Sequence, residues 1–402
     1  MDVKKRVILS VFGLVLLLGL GLVFLTIKNN YTYQNLIATP SQVPKWEADV
    51  RPLQSEKQVK GQLQKLNQKN AGKEVSLTDS KFVVIPGLRG AWSIDPKNGQ
   101  AAFGTDWVPQ GLTQSADDYY VSVYDGDHHL NSLIFQIDKK SKKYVKTLIL
   151  NSKAHVGGIT YDDDHQRLIY SDDTDKMAGF GYLDQARIDA YQASQQQAPI
   201  KSEKINWQLG IRTSAITMYQ QQLIVAKYGF HQNYRSIVSI PLNKAGFPPT
   251  ISDQGSEMLA KVVDTADKKT LEKVFIESLI KSGYISSFNH GWDRMQGISL
   301  SKSGIMIVSQ SNGRRQGKLL IRYRMPDPSR WEKMNLMGIA KGPATVAIPR
   351  AVEEVSINRE ETELAMIFES GAKKYRKNKY PFLPPDYMDR ILILPMQVTN
   401  EA

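Results

Sequence analysis

"MQGISLSKSGIMIVSQSNGRRQGKLLIRY", Met295 to Tyr323, sets a Gly, an aliphatic residue and a hydroxyl ahead of a turn, an apolar strand, a polar cluster and a second strand. Short apolar runs bounded by Gly and Ser read as β-strands. The phrase recurs. "QGLT" at Gln110, "GGIT" at Gly157, "SAIT" at Ser214 and "EEVS" at Glu353 match "QGIS" at Gln296. Each precedes an apolar strand, in order "YYVSVYD", "RLIYSDD", "QLIVAKYG", "IMIVSQS" and "LAMIFES". A further strand follows in every copy, the last being "RILILPM".

The hydroxyls Thr113, Thr160, Thr217, Ser299 and Ser356 lie 47, 57, 82 and 57 residues apart. A four-stranded propeller blade takes roughly 40–50 residues, with insertions confined to loops. The pattern therefore predicts an all-β fold, a β-propeller of five blades. The long gap carries "TLEKVFIESLIKSGY" (Thr270–Tyr284), with Leu271, Val274, Phe275, Leu279 and Ile280 at helical spacing. We read 248–287 as a helical insertion between the third and fourth copies; a degenerate sixth blade is the alternative. The fifth copy ends without an outermost strand, whereas "KFVVIP" (Lys81–Pro86) is a strand without a blade. Pairing the two would close the ring over 81–402 and hide both edges.

Before the repeats, "MDVKKR" leads into an uncharged apolar run of 21 residues, Val7–Ile27. That is long enough to cross a bilayer, and no small-x-small cleavage site follows. The reading is a cytoplasmic tail (1–6), a transmembrane signal-anchor (7–27), and a C-terminal domain held outside the cell by the positive-inside rule. Residues 28–80 read as an extracellular stalk, solvated, with a short amphipathic helix in "SEKQVKGQLQKLNQKN". The charge balance, 52 Lys+Arg against 40 Asp+Glu for a net +12, favours anionic partners. A nucleic-acid partner does not suit a domain outside the membrane. The absence of cysteine excludes disulfides, thiolate metal sites and a Cys nucleophile.

Propeller topology places functional residues without coordinates. The positions where innermost strands begin and second strands end share one face of the ring. Gln110, His155, Arg212, Gln296, Glu353 and Glu354 occupy the first set. With Arg314, Arg315, Lys373 and Arg376 flanking them, they predict a hydrated polar pocket for an anionic ligand; an internal Glu353–Arg212 ion pair is the alternative. Glu353, His155 and Asp172 form a candidate set for a divalent cation such as Ca²⁺, although no cofactor is expected. "GRRQGKLL" lacks P-loop spacing, "GFGYLD" lacks the third dinucleotide glycine, and neither G-x-S-x-G nor H-E-x-x-H occurs. "SDDTDK" and "YDDDHQ" read as acidic surface turns rather than EF-hand loops. "AKKYRKNKY" (Ala372–Tyr380) reads either as a solvated basic loop or as a contact for a phosphate-rich polymer.

Through "WVPQGLT", "NSLIFQID", "HVGGITYD", "MQGISLSKSGIMIVSQS" and "FESGAKKYR" the chain resembles membrane-anchored or secreted β-propeller proteins of Gram-positive bacteria. More distantly it is similar to gluconolactonase-like and NHL propellers. The lactonase resemblance implies a channel metal held by Glu, Asn and Asp; Glu353 matches the Glu, and no Asn or Asp is matched. The expected function is a membrane-tethered binding or scaffold module for an anionic envelope polymer or an envelope protein. A metal-dependent hydrolase of lactonase or phosphoester type is the alternative.

Overall fold

A computed structural model describes residues 3–71, 75–173, 178–207, 213–227, 236–250, 270–311, 313, 315–323, 344–376, 380–383 and 387–396, with isolated positions within 255–261. The chain opens with α1 (Val3–Asn35) and α2 (Glu56–Lys69), then β1 (Lys81–Val84) and a hairpin of β2 (Ala91–Asp95) and β3 (Gln100–Gly104). Five four-stranded antiparallel sheets take up β1 and all the later strands.

Blade one is β4 (Trp107–Gln114), β5 (Asp118–Asp125), β6 (Leu133–Asp138) and β7 (Tyr144–Ile149). Blade two is β8 (Ile159–Asp162), β9 (Arg167–Ser171), β10 (Ala178–Asp184) and β11 (Glu203–Trp207), with α3 (Gln185–Ala190) and α4 (Ala193–Gln196) between its last two strands. Blade three is β12 (Thr213–Tyr219), β13 (Gln222–Lys227), β14 (Ser236–Pro241) and β15 (Ser287–His290). Blade four is β16 (Met295–Leu300), β17 (Ile305–Gln310), β18 (Gly317–Tyr323) and β19 (Ala344–Ile348). Blade five is β20 (Val352–Ile357), β21 (Glu363–Phe368) and β22 (Arg390–Pro395), completed by β1, whose Phe82 pairs with Leu392. The strand that precedes the repeats thus closes the ring.

Innermost strands β4, β8, β12, β16 and β20 each touch the next around the channel. The small residue of the repeat makes that approach feasible. A Cβ on Gly158 would lie 2.4 Å from Ile216 Cγ1 and 2.8 Å from the Ile216 nitrogen. One on Gly297 would lie 2.6 Å from the Glu353 carbonyl oxygen. The repeated phrase is therefore a packing requirement of a tight ring.

One expectation is made specific and another is corrected. The helical insertion lies inside blade three, between β14 and β15, as α5 (Leu271–Lys281). Its buried Leu279 joins a cluster with Trp207, Val238 and Ile240, so the helix covers the blade's outer apolar surface. The expected solvated stalk over 28–80 is not what forms: 28–35 continue α1, and the described residues of 36–80 pack on the propeller. Ser55 and Gln58 form a capping box at the start of α2, and Val59 and Leu63 pack on Leu319, Val346 and Leu392. Asn70 donates to and accepts from the Ala347 backbone at 2.8 Å each. Leu36, Trp46 and Leu53 join the core of the first blades, and the Asp389 carboxylate accepts from the Leu53 and Gln54 amides. Polar composition concealed an amphipathic belt whose few apolar side chains face the propeller.

Candidate functional site

The channel has an upper mouth, where innermost strands begin, and a lower mouth, where they end. Chain connectivity brings the segments that follow β21 and β5 together at the upper mouth. Register shifts interrupt the inner pairings at Pro109/Gly111, Thr213/Ala215, Met295/Ile298 and Val352/Val355. Bulges of this kind re-aim side chains, and Gln110, Gln296 and Glu353 all sit on them.

The Glu353 carboxyl is buried against that of Glu369, at the end of β21. Burial first, then the Glu369 charge, drives the Glu353 pKa well above the carboxylate range, which favours a proton held at this carboxyl pair. Glu369 also accepts a hydrogen bond from the Tyr375 hydroxyl, and Lys374 Nζ stands 3.8 Å away. Lys374 belongs to α6 (Lys373–Arg376). Its ammonium donates to the Tyr124 hydroxyl at 2.7 Å and lies 5.1 Å from the ring centroids of both Tyr124 and Tyr375. The Tyr124 ring stacks on His155, centroids 4.0 Å apart, and on His128 at 5.2 Å. Nearby, Asp106 Oδ1 is buried without a hydrogen bond, and desolvation followed by Asp127 raises the Asp106 pKa. Lys373 donates to Thr105 at 3.2 Å. The result is an aromatic platform carrying a cation, set beside a proton-holding carboxyl pair.

The predicted residues divide accordingly. His155 and Glu353 belong to this cluster, and Lys373 stands beside it. Gln110 is buried, with Nε2 turned onto the Pro109 carbonyl at 2.9 Å. Gln296 is half-buried and Arg315 exposed. Arg376 is not a rim cation: it is buried, donating to Gly371 O at 2.8 Å, Leu36 O at 3.0 Å and Leu88 O. Burial pulls its guanidinium down to about 10. Arg212 and Arg314 lie outside the described residues, and with Arg212 the expected ion pair to Glu353. The cation set is not assembled: Asp172 is held by Ser152 at 2.6 Å and Lys204 at 3.0 Å, while Glu353 pairs with Glu369. Among the described residues no group of three acidic or histidine side chains is placed to hold a metal ion. Glu354 fills the space left by Gly297, its Oε1 accepting from Ile298 N at 3.1 Å and Val355 N at 3.0 Å; desolvation raises its pKa strongly.

Tyr124, Glu369, Lys374 and Tyr375 were missed as individual site residues. Their signal was present in the strand-exit loops "YDGDHH" and "ESGAKKYR", but neither loop shows which member turns inward.

At the lower mouth a cavity of about 370 Å³ is lined by the repeated hydroxyls Thr113, Thr160, Thr217, Ser299 and Ser356. Thr113 accepts from Tyr161 N of blade two, and Ser299 from Ile357 N of blade five, each at 3.0 Å. Asp163, Lys302, Arg359 and Glu361 stand at its rim. Burial raises the Asp163 pKa, with Arg359 and Lys302 opposing.

No family profile and no curated protein matches the sequence. Among solved structures the Dos1 propeller aligns with TM-score 0.31 and 7% identity over 71% of this chain and 54% of its own. This chain therefore spans about half of that one. A gluconolactonase from Xanthomonas campestris aligns with TM-score 0.36 and 9% identity, covering 80% of this chain and 91% of its own. A luciferin-regenerating enzyme gives 0.35 and 10%, covering 78% and 85%.

Proposed function

We propose that the protein is a membrane-tethered propeller that binds an anionic envelope polymer at its upper mouth. The observation that carries this reading is the Tyr124–His155 stack beside the Lys374 ammonium, with the Glu353–Glu369 carboxyl pair adjoining. The blade repeat requires none of these side chains. Lys373, Lys374 and Arg315 offer cations to phosphate or carboxylate groups, and a stacked ring face suits the carbon skeleton between them. The tether is α1, long and apolar enough to span a membrane, with its apolar run left unburied by the rest of the chain. Lys4, Lys5 and Arg6 ahead of it favour a cytoplasmic N-terminus and a propeller outside.

Poly(glycerol phosphate) is the probe. Full-length protein in detergent should bind it with a salt-sensitive affinity that falls about tenfold in H155A/K374A, the equivalent of about 1.4 kcal/mol. The fold should persist, with a loss of stability of about 1–2 kcal/mol from the lost Tyr124 contacts. Unchanged affinity in the double variant would reject the site.

A further inference from the structure

Where α1 leaves its apolar run it grips a loop from the far end of the chain. Asn29, two residues beyond Ile27, donates through Nδ2 to Pro381 O at 2.8 Å and Leu383 O at 2.9 Å. Two residues of helix rise only about 3 Å, so this loop sits level with the end of the apolar run. Its outer surface is apolar: Tyr380 is 51% and Leu383 42% exposed, and the Tyr380 and Phe382 rings lie 5.8 Å apart. Tyr31, on the adjoining turn of α1, is 70% exposed. The sequence leads into the loop with "KKYRKNK", five cations in seven residues.

We propose that the Tyr380–Leu383 loop is a second membrane contact, inserted into the interfacial layer of an anionic bilayer beside α1. The proposal rests on the tether reading above. Height, composition and charge each support it. Rings of Tyr and Phe with a neighbouring Leu favour the headgroup–acyl boundary, and lysines next to the loop in the sequence, Lys377 and Lys379, are attracted to anionic headgroups. The contact continues the surface of the tether helix itself, whereas a loop carried by a stalk would have no defined depth. Arg376 strengthens the arrangement by tying the Leu36 carbonyl, just past the end of α1, to Leu88 of the propeller. The upper mouth is then held beside the bilayer rather than projected away from it, so the polymer it takes is met near its membrane-proximal end.

The chain has no cysteine, so single nitroxide labels can be placed without background. Full-length L383C, Y380C, L16C and V145C variants would be labelled in vesicles containing anionic lipid. Oxygen accessibility is then compared with that of a water-soluble nickel chelate. Val145, on β7, is 46% exposed and reports the aqueous side. The expected result is an oxygen-to-nickel ratio several-fold higher at 383 and 380 than at 145, with 16 higher still. Ratios at 383 and 380 equal to that at 145, with 16 buried, would overturn the loop contact and leave the tether intact. An aqueous ratio at 16 would remove both. Labels at 380 and 383 shielded from oxygen and nickel alike would indicate a protein partner and also overturn the proposal.

Discussion

The two mouths of the channel are built from the same five strands and spend their polar groups differently. At the lower mouth equivalent positions carry equivalent residues, and two of the hydroxyls, Thr113 and Ser299, stitch one inner strand to another by accepting from Tyr161 N and Ile357 N. At the upper mouth the equivalent positions have diverged: Gln110, Gln296 and Glu353 share a bulge, yet only Glu353 meets a carboxyl partner. A polar side chain kept in every repeat serves the ring. One present in a single blade is available for something else.

The sharpest way to break this contrast is at the ring that both mouths share. Gly158→Val should destabilise the protein by about 3 kcal/mol or prevent folding, because the added atoms meet the Ile216 backbone. A native-like melting temperature would show that close approach of the inner strands is not required.

Glu354→Ala comes next. It strips the acceptor from two buried amides, at a cost of about 2–3 kcal/mol in thermal or denaturant unfolding. Glu354→Gln should behave differently. The folded state raises the Glu354 pKa, so this group's contribution to stability is complete at low pH and is lost as pH rises through the raised value. The glutamine variant keeps an acceptor oxygen and has no proton to lose. Its stability should decline less between pH 6 and 9 (about the range accessible to unfolding measurements) than that of the native chain. Parallel declines would locate the pH dependence elsewhere.

The same linkage sharpens the upper mouth. With Glu353 protonated the pocket holds one negative charge fewer, so binding of poly(glycerol phosphate) should weaken as pH rises and Glu353 ionises. Glu353→Gln should flatten that profile in a direct titration. A variant that retains the full pH dependence would exclude Glu353 as its source.

The smallest effects separate the mouths most cleanly. Thr113→Val deletes one acceptor for a backbone amide and should cost about 1 kcal/mol with polymer binding unchanged. Lys374→Ala removes the donor to the buried Tyr124 hydroxyl and should also cost about 1 kcal/mol, but with binding weakened. Reversed results would interchange the roles assigned to the two mouths.

The repeated phrase determined much of this protein by itself, namely the propeller, its five blades and the face that His155 and Glu353 share, and the unpaired "KFVVIP" marked the strand that closes the ring. Those features depend on local alternation and on spacing along the chain, which a sequence displays directly. Partner choice was decided only in three dimensions. Arg376 looks like a rim cation in "KKYRKNK", yet its guanidinium is consumed by three backbone carbonyls, two of them contributed by distant segments. Residues 36–80 look solvated, yet Val59, Leu63 and Trp46 bury themselves on blades encoded far away. The pairing of Glu353 with Glu369 follows from two segments folding over one mouth. Long-range contacts of this kind leave no period in the sequence, because each depends on where another part of the chain has already packed.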